Sequence, residues 1–223
     1  MTTLPTLTGP SLAPAAGGAP QEIVLLLHGY GSNGADLLGL APLWRHARPH
    51  ALFVAPNAPE RCTGAPGGYQ WWALHEISRA GIAAGAARAA PALDAYIDGL
   101  LAEHGLGADR LVLVGFSQGT MMALQVGIRR ETAVAGIVAY SGMLADNGRL
   151  AAEVRSRPPI LLIHGAADSV VPPLAFHDAK AGLHRLGFDV DAHLIPGLDH
   201  GVDEHGIRTG GRFLARILDA PQS

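Results

Sequence analysis

Six short apolar runs constrain this chain more than anything else in it: EIVLLLHG (22–29), ALFVAPN (51–57), RLVLVGF (110–116), AGIVAYSG (135–142), PILLIHG (159–165) and DVDAHLIPG (189–197). Most are continuous rather than alternating. A strand that is apolar on both faces is covered on both faces, the condition of a parallel sheet clad in helices. Helical patterns fill the gaps. Leu93, Tyr96, Ile97, Leu100 and Leu101 recur at i, i+3, i+4 spacing, with Gly105 placed as a C-cap. PPLAFHDAKAGLHRLG (172–187) opens with proline and closes with glycine, and RFLARIL (212–218) adds a last amphipathic turn or two. The alternation predicts an α/β fold with a mostly parallel, doubly wound sheet. Ligands in such sheets bind at the carboxyl ends of the strands. His28, Ser117, Ser141, His164 and Asp168 all fall at those ends.

The 223 residues suffice for one domain with a real core. With 48% hydrophobic residues, 16% charged residues and a net charge of -3, the chain is neither disordered nor basic enough to bind nucleic acid. Residues 1–20 read as an irregular or edge-strand lead-in, and 21–220 as the single domain. The one cysteine, Cys62, forms no intramolecular disulfide. The first 20 residues have no basic region followed by an apolar run, and no stretch reaches membrane-spanning length. A cytoplasmic protein without stable membrane insertion is expected, as a monomer or homodimer.

Chemistry concentrates at Gly115-Phe116-Ser117-Gln118-Gly119, a G-x-S-x-G that leaves a predicted strand and opens a predicted helix. Such a turn lifts the hydroxyl above the sheet, and the tightness of the bend demands glycine two residues to either side. The helix N-terminus behind it favours developing negative charge. A nucleophilic serine needs a base, and the base needs an orienting acid. With this elbow the chain order is serine, acid, histidine. Asp168 stands in the loop after the PILLIHG strand, where Asp168 or Ser169 would also serve as an N-cap. Asp178, Asp189 and Asp191 are alternatives placed in a helix or at the wrong end of a strand. His200 stands between Gly197 and Gly201 in the loop after the last strand. His205 competes from the next helical stretch, His184 and His193 read as surface positions, and His164 reads as a loop support. HGYG (28–31) ends the first strong strand, and its glycines let a free amide turn toward a reacting carbonyl. The expected oxyanion donors are the amides of Tyr30 and Gln118. The glycine-rich stretch lacks the G-K-S/T of a phosphate loop and the spacing of a dinucleotide fingerprint. The histidines lack metal-ligand spacing. No cofactor and no metal are expected.

The segments LLLHGYGSNGADL, FVAPNAPE, YQWWAL, LVLVGFSQGTMMAL, AGIVAYSGML, PILLIHGAADSVVP and PGLDHGVDEHGI, in this order and spacing, resemble the phospholipase/carboxylesterase group of the α/β-hydrolase superfamily, which also contains acyl-protein thioesterases. The resemblance implies a compact α/β-hydrolase fold with helices on both faces of the sheet and no large cap domain. It implies Ser117 as nucleophile, Asp168 as acid, His200 as base, and Tyr30 and Gln118 at the oxyanion hole. It also places a loop around residues 62–72 beside the acyl site. Trp72 and Leu144 are then pocket candidates, with Cys62, Trp71 and Met143 beside them. Tyr30 stands where thioesterase members often have leucine, Thr120 where a third glycine is common, and YQWWAL where a W-F-D type segment is usual. The expected function is a serine carboxylesterase cleaving short to medium acyl esters through an acyl-enzyme. The alternatives are a lysophospholipase, an acyl-protein thioesterase, or a hydrolase-fold binding module without hydrolysis. The expected partner is a small-molecule acyl ester or thioester. Met121 and Met122, just past the elbow, are expected in the core.

Overall fold

The computed structural model describes residues 4–75 and 77–219. All six apolar runs form strands: β2 (Glu22–Leu27), β3 (Ala51–Val54), β6 (Leu111–Phe116), β7 (Gly136–Tyr140), β8 (Ile160–Gly165) and β9 (Val190–Ile195). With the short β1 (Ser11–Leu12) they make a seven-stranded sheet in the order β1-β3-β2-β6-β7-β8-β9. β1 runs antiparallel to β3, and every other pairing is parallel. A separate hairpin, β4 (Glu60–Arg61) with β5 (Tyr69–Gln70), stands beside the sheet.

Alternate side chains of each strand feed two cores. Ile23, Leu25, Leu113, Ile137 and Leu162 pack with α3 (Arg79–His104), α4 (Gln118–Gly127) and α6 (Leu174–Arg185). Val24, Leu26, Val112, Val138 and Leu161 pack with α2 (Ala41–Arg45) and α7 (Glu204–Leu218). Two short helices, α1 (Gly34–Leu38) and α5 (Leu150–Glu153), complete the set. The continuous apolar runs are thus explained: both faces of β2, β6, β7 and β8 are covered, while the edge strand β9 is only partly buried.

Gly105 takes the left-handed conformation (φ 65°) that ends α3, as its position predicts. The helix itself is far longer than the apolar spacing shows, running 26 residues through Pro91. α6 begins at Leu174 with Pro173 at its N-cap, so neither Asp168 nor Ser169 caps it. Met121 and Met122 are buried in the core, as expected.

The strand order fixes where a site can form. From β2 the chain turns toward β3, and from β6 it turns the other way toward β7. The connections diverge at the carboxyl ends of these two neighbours and leave a crevice between them.

Candidate active site

β6 ends at Phe116 and α4 starts at Gln118, so Ser117 alone turns the chain. It does so with φ 54° and ψ -116°, a conformation that costs a non-glycine residue roughly 1–3 kcal/mol. The surrounding contacts enforce it. A Cβ on Gly115 would lie 2.5 Å from the Gly119 carbonyl carbon, and one on Gly119 would lie 1.8 Å from the Leu27 carbonyl oxygen. Any other residue at either position forces the turn open. The Ser117 amide donates to the Tyr140 carbonyl at 3.0 Å. Thr120, in place of a third glycine, is accommodated: its hydroxyl is shared between the carbonyls of Gly115 (2.8 Å) and Tyr140 (2.7 Å).

The loop after β2 lies directly against this turn, since a Cβ on Gly29 would come within 3.2 Å of the Ser117 Cβ. His28 is wholly buried beneath it. Its Nε2 accepts from the Ala58 amide at 3.0 Å, so its proton sits on Nδ1 and is donated to the Gly29 carbonyl at 2.7 Å. Burial lowers the His28 pKa, favouring this neutral form. Gly31 then turns with φ 75°. Neither the Tyr30 nor the Gln118 amide donates to another group among the described residues, and the two flank the crevice at the ends of β2 and β6. The Tyr30 side chain is 40% exposed. The Cys62 thiol beside its hydroxyl pushes the phenol up. Cys62 itself is buried.

Asp168 follows β8, two strands from β6, and His200 follows β9, three strands from it. His200 Nδ1 donates to Asp168 Oδ2 at 2.9 Å. The other carboxylate oxygen accepts from the Val170 (3.0 Å) and Val171 (2.8 Å) amides. Burial pushes the Asp168 carboxyl up, but the His200 hydrogen bond and the Val171 and Val170 amides outweigh it. They hold the group below the usual carboxylate range. The His200 ring lies against the ring of Phe116, the residue before Ser117, with centroids 4.8 Å apart. His164 supports the loop: its buried Nε2 donates to the Val171 carbonyl at 2.8 Å and lies 3.3 Å from Asp168 Oδ2.

Sequence reasoning passed over Asp199. Its exposed carboxylate accepts, through one oxygen, from the Ser169 amide (2.8 Å), the Ser169 hydroxyl (2.9 Å) and the His200 amide (2.8 Å). Those donors, the Ser169 amide foremost, hold its pKa down. Asp199 therefore fastens the Asp168 loop to the His200 loop. Its only signal was adjacency to His200. Gly165 lets the same loops meet, because a Cβ there would stand 2.2 Å from the Leu198 carbonyl oxygen. The competing residues lie elsewhere: Asp178 and His184 on α6, Asp191 and His193 on β9, Asp189 just before β9, and His205 in the first turn of α7.

A groove of about 420 Å³ opens between the start of α3 and α6, walled by Ile82, Met143, Leu144 and Leu174. Met143 follows Gly142, which touches the elbow: a Cβ on Gly142 would lie 2.8 Å from the Ser117 carbonyl oxygen. Trp72 does not line this groove. It is buried flat on α3, where a Cβ on Gly85 would meet its indole at 2.3 Å.

Residues 14–218 match the sequence model of the phospholipase/carboxylesterase family. The chain belongs to that family. Esterase YpfH of Escherichia coli (strain K12) is 28% identical over 189 residues, covering 84% of this chain and 79% of that protein. Acyl-protein thioesterase 1 of Schizosaccharomyces pombe is 27% identical over 212 residues, covering 91% and 94%. The crystal structure of esterase PE8 is 43% identical, with a TM-score of 0.91 over 95% of this chain and 99% of that one. Membership makes this protein a hydrolase of ester bonds with the α/β-hydrolase fold.

Two further observations bear on this family member. Among the described residues, no three His, Cys, Asp or Glu side chains are grouped so as to hold a metal. Among the same residues, no helix is long and apolar enough to cross a membrane.

Proposed function

We propose that the protein is a serine carboxylesterase in which Ser117 is the nucleophile, His200 the base and Asp168 the orienting acid. The observation that carries this is the 2.9 Å bond between His200 Nδ1 and a buried Asp168 carboxylate, in a chain whose Ser117 is held at positive φ and whose Phe116 packs against the His200 ring. A carboxylate only accepts, so Nδ1 keeps its proton and Nε2 is left as the free base. His200 takes the Ser117 proton as Oγ attacks the acyl carbonyl. The Tyr30 and Gln118 amides receive the oxyanion. Collapse expels the alcohol, protonated by His200, and leaves an acyl-enzyme. Water activated by His200 then releases the acid and regenerates Ser117.

The acyl chain occupies the groove that begins at Met143, with Leu144 in its wall, and short to medium esters are the substrates. A second reading is favoured by the groove's length. It follows α6 from Leu174 to Arg185, roughly 16 Å at the helical rise, which suits the longer chains of a thioesterase or lysophospholipase substrate. Ser117→Ala, assayed on a short p-nitrophenyl ester with the fold checked by circular dichroism, is expected to retain the fold and lose turnover. Wild-type-like turnover would sink the assignment. A panel of acyl esters and thioesters graded by length separates the two readings.

A further inference from the structure

Two amides from diverging chains must be held at a fixed separation if they are to receive one oxygen atom. The β2–β6 ladder does not reach them, because its register ends at Leu27 opposite Gly115. Tyr30 and Gln118 lie three residues beyond those positions, where the chains part. Close contacts limit how near they approach: Gly119 against the Leu27 carbonyl and Gly29 against Ser117. Something else must set how far they spread.

We infer that Trp71 is the strut that does so, and that it is a positioning residue for the oxyanion hole. Its indole N–H donates to the His28 carbonyl at 3.0 Å, two residues before Tyr30. Its backbone amide donates to the Gln118 side-chain carbonyl at 2.9 Å. One buried residue thus bonds to both sides of the crevice. The grip on Gln118 is two-handed, since the other end of that carboxamide donates to the Trp72 carbonyl at 2.9 Å. Trp71, His28 and Gln118 are each no more than 1% exposed, so water does not compete for these bonds. The strut is itself anchored. It follows β5, whose Tyr69 exchanges hydrogen bonds with the β2 loop, accepting from Gly31 at 2.9 Å and donating to Ser32 at 2.7 Å.

The inference rests on the oxyanion reading above, and its effect is expected on the transition state rather than on the ground state. Donors must sit within about half an ångström of the oxyanion, and a misplacement of about 1 Å can cost as much as 100-fold. Trp71→Phe keeps the ring and removes the indole N–H. We expect kcat per titrated serine to fall about tenfold and an alkyl trifluoromethyl ketone, which forms a tetrahedral oxyanion on the serine, to bind weaker by the same factor. KM should be unchanged. Trp44→Phe is the comparison. It removes an equivalent indole-to-carbonyl bond, to Ile207 at 2.9 Å, on the other face of the sheet. That variant should lower stability alone. If Trp71→Phe does not fold, Gln118→Asn withdraws the carboxamide from Trp71 while keeping the Gln118 amide, and should show the same paired loss. Wild-type kcat and inhibitor affinity in either folded variant would overturn the inference. Turnover by Ser117→Ala would instead overturn the reading of the site, so the two failures are distinguishable.

Discussion

Ser117 and Asp168 each follow a buried parallel strand, but the chain leaves those strands in different ways. After β6 the turn is dictated by backbone contacts. Gly115, Gly119 and Gly142 let main chain and side chain meet at distances that a Cβ would violate, and Ser117 has no freedom left. After β8 the turn is dictated by side chains. Asp168 holds two amides of its own loop, and Asp199 reaches across from the loop after β9. One half of the site is rigid because nothing larger fits. The other half is rigid because polar groups are tied, some of them in contact with water. The first should tolerate no change of size, and the second should respond to changes of charge and of hydrogen bonding.

The sharpest break of the first half is Gly119→Ala. The new methyl would stand 1.8 Å from the Leu27 carbonyl oxygen, which is backbone and cannot yield. The expected result is a stability loss of about 3 kcal/mol or more, read as a lowered Tm or as insoluble protein, together with lost activity.

In the second half, Asp168→Asn keeps the shape and removes the charge. A fall in kcat of about 10³–10⁴-fold is expected, since an amide presents the wrong partner to His200 Nδ1. The same variant has a stability signature. Asp168 is held below its ordinary pKa in the folded protein, so its ionised form stabilises the fold. That contribution is complete above the unfolded value of about 4 and is lost as pH falls through the lower folded value. Acid unfolding curves of wild type and Asp168→Asn should therefore converge below about pH 4. Parallel curves over that range would show that the carboxylate is not the group being titrated.

The smallest effect belongs to Asp199. Asp199→Ala frees Ser169 and the His200 amide without touching Asp168, and about a tenfold loss of kcat is expected from the loosened base. Asp199→Asn should recover most of it, because a carboxamide oxygen accepts the same three bonds. Equal losses in both variants would mean that the negative charge matters, and not the tie.

The same contrast governs how much was legible in the sequence. Five of the six strands were readable because burial on both faces leaves a continuous apolar record, and the partly buried edge strand β9 was readable from its place in the alternation. Ser117, Asp168 and His200 could be singled out because each follows a strand within a few residues. The first half of α3 was not: AGIAAGAARAAP carries little apolar spacing, and Pro91 reads as a stop, although the helix passes through it. Asp199 was hidden because an aspartate in a glycine-rich loop looks the same whether it ties two loops or faces solvent. Trp71 was readable only as a pocket-wall candidate, since its partners His28 and Gln118 lie 43 and 47 residues away along the chain.

The backbone of Ser117 has a further consequence. At φ 54° and ψ -116° the residue best suited to that position by conformation alone is glycine. Ser117→Gly should be more stable than the wild type by about 1 kcal/mol, the relief of strain exceeding the added freedom of the unfolded chain. Ser117→Ala keeps its Cβ and should melt near the wild type. On this reading the most durable version of the protein is one that cannot react, and each copy with serine here is held a little closer to unfolding by the Cβ that carries the hydroxyl.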